Sequence, residues 1–113
     1  MTIDDLKAYG ANTDDGLRRC LNNEGFYLRL VKMIPNDPNF QKLYDAVDGN
    51  DLAAGFEAAH ALKGSAGNLS LTPIFEPVAE ITELLRSREQ TDYSELLQKI
   101  RQGQEDLKRL CEN

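Results

Sequence analysis

Residues 52–69 read LAAGFEAAHALKGSAGNL and follow Asp51, a residue suited to cap a helix. At roughly 100° per residue, Gly55, Ala58, Leu62, Ala66 and Leu69 gather on one side of that helix. Ala53, Phe56, Glu57, Lys63, Gly64 and Gly67 fall within about 60° of His60 on the other side. The core stripe is therefore Leu62, Leu69 and the small residues between them, and His60 points away from it. Glycine inside a helix costs roughly 1 kcal/mol relative to alanine. On an outward face, packing within a bundle gives no reason for Gly64 and Gly67. Access does: deleting those side chains leaves room for a second molecule to reach the imidazole.

The rest of the chain is punctuated into further helices. Thr2 is placed to cap a short helix ending at Gly10, and Thr13 to cap a second one carrying Leu17, Cys20 and Leu21. After a break at Asn22-Asn23 and Gly25, an apolar helix runs from Phe26 to Ile34. Pro35 interrupts it, and Asp37 caps a restart at Pro38. Phe40, Leu43, Tyr44 and Val47 lead to the turn Asp48-Gly49-Asn50. Thr72 as N-cap and Pro73 as first helical residue open a helix to about Arg88, with Ile74, Val78, Ile81 and Leu85 on one stripe. Pro77 is expected to bend its entry. Thr91 is expected to cap a last helix from Asp92 to Cys111, with Leu96, Leu97, Ile100, Leu107 and Leu110 facing inward. The pattern predicts one all-α domain over residues 1–113. It is an antiparallel up-down four-helix bundle over about 24–111, with short N-terminal helices in 1–23 covering one end.

Bulk properties narrow the function classes. With 113 residues, 41% hydrophobic and 28% charged, the chain is long enough for one core and too apolar for disorder. A net charge of −6 argues against nucleic acid, which needs clustered Lys and Arg. Cys20 and Cys111 lie outside any CxxC spacing and are expected as free thiols. With no leader-like start and no apolar stretch of membrane-spanning length, the expectation is a cytoplasmic protein that binds no membrane. Glu57-Ala58-Ala59-His60 fits half of a di-iron ligand set. The design needs two such pairs, and there is a single histidine, so no metal is expected. No phosphate-binding glycine loop and no Ser–His–Asp arrangement is present.

Chemistry points back to His60. An imidazole offers an unprotonated ring nitrogen as nucleophile near neutral pH, and Lys63, one turn on, offers positive charge. Phosphoryl transfer rests mainly on such positioning and electrostatics. The stretch His60-Ala61-Leu62-Lys63-Gly64-Ser65-Ala66-Gly67-Asn68-Leu69 resembles the H-x-L-K-G-S-x-x-x-L signature of histidine phosphotransfer (HPt) domains. The resemblance implies that His60 accepts phosphate through Nε2, that Lys63 stabilises its charge and that Gly64 keeps the site open. Ser65, nearer the buried side of the wheel, has two readings: a hydrogen bond in the site or one back to its own helix.

Where the family often carries Gly, this chain has Ser70. Where it often carries a carboxylate or amide in the next helix, this chain has Thr82, with Glu83 beside it. Phe56, Glu57, Gly64, Gly67 and Asn68 are the expected docking surface. The implied role is a phosphorelay intermediate taking a phosphoryl group from a receiver-domain aspartyl phosphate and passing it to another receiver. Response-regulator receivers and hybrid histidine kinases are the implied partners. The protein itself would be a monomeric carrier, not a kinase, with no cofactor of its own. Any Mg²⁺ belongs to the receiver. A helical module that docks a receiver without phosphotransfer is the alternative. A small phosphatase is a third reading, for which no water-activating base presents itself.

Overall fold

The computed structural model describes residues 1–112. They form helices α1 (Ile3–Tyr9), α2 (Thr13–Arg19), α3 (Glu24–Met33), α4 (Pro38–Asp48), α5 (Leu52–Asn68), α6 (Thr72–Arg86) and α7 (Ser94–Cys111). A 3-10 turn, Ile34–Asn36, joins α3 to α4, and no strand occurs among the described residues.

Several helix starts follow from local chemistry. Thr2 and Asp5 form a reciprocal capping box at α1, and Gly10 closes that helix in the left-handed region at φ 115°. Asp37 and Pro38 open α4, and the Asp51 carboxylate accepts from the Ala54 N–H at 3.1 Å to open α5. Three expected caps move. Asn12 caps α2 by accepting from the Asp15 N–H, and Thr13 is buried as the first helical residue. At α6, Leu71 occupies the cap position with no side-chain hydrogen bond, and Thr72 and Pro73 lie inside the first turn. Leu71 is fully buried, so apolar packing sets the entry that Thr72 was expected to set. The last helix begins at Ser94, not Asp92. Tyr93 is drawn into the core just before it, and Asp92 accepts from the Ser94 N–H at 2.9 Å.

Helices α4, α5, α6 and α7 pack each on the next. The α6 stripe is realised in full, since Ile74, Val78, Ile81 and Leu85 are all buried. Burying each such side chain contributes about 1.5–3 kcal/mol. Pro77 is buried inside α6, and the helix continues through it. The small inward residues of α5 let it lie close to neighbours on both sides. Helix α3 joins α2 and the 3-10 turn, so residues 24–33 belong with the N-terminal helices as well as with the core. It turns Tyr27 and Val31 inward and leaves Phe26 and Met33 exposed. Burial pushes the Tyr27 phenol up to about 12, so its hydroxyl stays protonated and donates to the Leu69 carbonyl at 2.8 Å. That bond fixes α3 to the C-terminal end of α5.

Candidate functional site

His60 is exposed at mid-length on α5, while Ala58, Ala59, Leu62 and Ala66 of the same helix are buried. Its imidazole makes no hydrogen bond to any described residue. What holds it is Phe56, one turn earlier, stacked on it with ring centroids 5.6 Å apart and planes at 23°. The Arg86 and Arg88 guanidinium groups approach the same phenyl ring, 4.9 and 5.4 Å from its centroid. Such ring contacts are each worth about 0.5–1.5 kcal/mol. They steady the imidazole through its face and leave the nitrogens at its edge open to a partner. Thr82 does not contribute: it is fully buried, and its hydroxyl donates to the Val78 carbonyl at 2.6 Å.

Lys63 is tied loosely to Glu83, with Nζ 3.8 Å from Oε1, and Glu83 also accepts from Arg86 at 3.2 Å. A surface pair of this kind is worth at most about 1 kcal/mol. An anion entering beside Lys63 would therefore compete easily for the ammonium.

The two glycines of the outward face differ. A side chain added at Gly64 would meet nothing within 4 Å, so the space beside His60 is open there. At Gly67 a Cβ would stand 3.0 Å from Cε1 of Phe75, a ring of α6. The reading of Gly67 as cleared for a partner is therefore corrected: its missing side chain makes room for Phe75, within the protein. Gly64→Gln is expected to melt at or slightly above the wild-type midpoint, because glutamine is the better helix former by under about 1 kcal/mol. Receiver-dependent transfer should fall at least about tenfold through obstruction of the in-line approach. Transfer at the wild-type rate, measured with a phosphorylated receiver, would show that the open space has no role.

His60, Lys63, Gly64, Gly67 and Asn68 line one open cleft of about 540 Å³. Ser65 does not: its hydroxyl donates to the Ala61 carbonyl at 3.2 Å, so the helix-bonding reading describes it. Glu57 lines a separate groove with Lys42 and Asp45 of α4, away from the His60 cleft. The remaining walls come from residues that sequence reasoning did not assign to the site, namely Asn12, Asp15 and Arg19 of the α2 segment with Ser70, Thr72 and Phe75. Nothing local marks Asn12, Asp15 and Arg19; only the docking of α2 beside the end of α5 brings them there.

The sequence model of the Hpt domain family matches residues 36–112, which include the whole of α4 to α7. The chain belongs to the Hpt family. No curated protein and no solved structure matches it. As an Hpt domain it has a histidine phosphotransfer role in phosphorelays, as a phosphocarrier and not a kinase, with two-component partners such as receiver domains. Among the described residues no helix is long and apolar enough to cross a membrane.

Proposed function

We propose that His60 is the phosphoacceptor, taking a phosphoryl group from a receiver's aspartyl phosphate and returning it to the aspartate of another receiver. The observation that carries this reading is an exposed imidazole, free of hydrogen bonds to the described residues and steadied by Phe56, beside the open space at Gly64. In the step, the Nε2 lone pair attacks phosphorus, the acyl P–O bond breaks and the aspartate leaves as a carboxylate. Nε2 is the ring nitrogen farther from the backbone. Lys63 exchanges Glu83 for the phosphoryl oxygens, and exclusion of water by the docked receiver strengthens that pairing several-fold. Mg²⁺ remains with the receiver. The carrier acts as a monomer in the cytoplasm.

Incubation with a phosphorylated receiver domain, followed by mass analysis, tests this directly. The expected product is a single phosphate on His60, lost in acid and retained in base, as a P–N linkage requires. Absence of label with several cognate receivers would leave only the docking module that binds without phosphotransfer.

A further inference from the structure

Helix α2 lies outside the residues that match the family, yet it forms a wall of the His60 cleft. Its attachment is specific. Ser70, two residues past α5 and in the left-handed region at φ 54°, accepts from the Asn12 N–H through its carbonyl at 3.0 Å. Its hydroxyl donates to Oδ2 of Asp15 at 2.5 Å. The same carboxylate accepts from Nη2 of Arg18 at 2.6 Å and from Nε of Arg19 at 2.9 Å. The Ser70 hydroxyl and the two guanidinium groups hold the Asp15 carboxyl far below the usual carboxylate range, so it stays ionised at neutral pH. Arg19 is thereby fixed by one nitrogen, and its terminal nitrogens have no partner among the described residues.

We propose that α2 is a receiver-selecting wall of the phosphotransfer cleft, with Arg19 as the residue that meets the acidic rim of the receiver's phosphate pocket. The inference rests on the reading of His60 as phosphoacceptor. Charge complementarity supports it. In a chain of net charge −6, the cleft sets two cations, Arg19 and Lys63, on different helices beside His60. Its one carboxylate, Asp15, is already occupied. A surface that presents an aspartyl phosphate among carboxylates fits that arrangement. A guanidinium held at its Nε keeps two parallel donors for one of those carboxylates. Charges at such a rim act mainly on encounter and selection of partner, and less on the chemical step.

The test measures initial transfer rates against the concentration of phosphorylated receiver for the wild type, Arg19→Ala, Arg19→Glu and Ser70→Ala. In parallel, phosphoramidate labels His60 without docking: its P–N bond breaks, ammonia leaves and a new P–N bond forms to the imidazole. The half-saturating receiver concentration should rise several-fold in Arg19→Ala and Ser70→Ala. In Arg19→Glu it should rise tenfold or more, most strongly at low salt. Limiting rate and phosphoramidate labelling should stay within twofold of wild type. A half-saturating concentration unchanged in both Arg19 variants would overturn the proposal. So would equal slowing of receiver transfer and phosphoramidate labelling, which would place Arg19 on the phosphoryl group instead of the partner. Wild-type protein that takes no label from either donor would remove the phosphoacceptor itself, an outcome distinct from both.

Discussion

His60→Gln is expected to take no phosphoryl group from a receiver while folding like the wild type. The two halves of that expectation have separate grounds. A glutamine amide has no nucleophilic lone pair comparable to that of imidazole, and no second histidine exists in the chain. The loss should therefore be complete, below the background of a labelling assay, and not a reduction by some factor. Stability is a different matter, because His60 is exposed and its ring stacks on Phe56. Losing that stack costs about 0.5–1.5 kcal/mol, and the better helix propensity of glutamine offsets a few tenths. A thermal midpoint within a few degrees of wild type, read by circular dichroism beside the labelling gel, makes the loss chemical. Acid-labile phosphate persisting on the variant would assign the acceptor role to another residue and refute the proposed function.

How far the molecule was legible in its sequence depends on the range of the interactions. The outward turn of His60 could be read from one helix, because the residues that define its direction lie within three turns of it. The α6 stripe could be read for the same reason, and all four of its residues are buried. Helix starts were legible to a residue or two, and two of the three errors share a cause. At Leu71 and Tyr93, burial of a large side chain fixed the chain's entry where a hydroxyl cap had been expected. Gly67 shows the same limit at the site: it lies on the outward face of its own helix, but Phe75 arrives from the next one. Phe56 was expected to meet a partner, and the structure stacks it on His60 with Arg86 and Arg88 alongside. The α2 wall had no local signal, since Ser70 and Asp15 are far apart in the chain and meet only after α2 docks.

That docking leads to the largest expected stability effect, at a glycine whose role is opposite to that of Gly64. In Gly16→Ala the new methyl carbon would stand 2.5 Å from Cζ and Oη of Tyr27 and 2.6 Å from Cε1. Tyr27 is fully buried and its hydroxyl is committed to the Leu69 carbonyl, so the ring cannot withdraw without breaking that bond. Overpacking of this kind costs about 1–3 kcal/mol, and a buried carbonyl left unpaired costs about as much again. Alanine recovers roughly 1 kcal/mol as the better helix former. The net is a destabilisation of about 1–5 kcal/mol, or a midpoint lower by some 4 °C for each kcal/mol in a domain of this size. The direction separates packing from propensity, because propensity alone would raise the midpoint. Displacing α2 should also weaken receiver transfer without slowing labelling by phosphoramidate, since His60 sits on a different helix. An unchanged or raised midpoint in thermal unfolding would mean that the Tyr27 ring yields freely, and that the contact of α2 with α3 does not hold the wall beside His60.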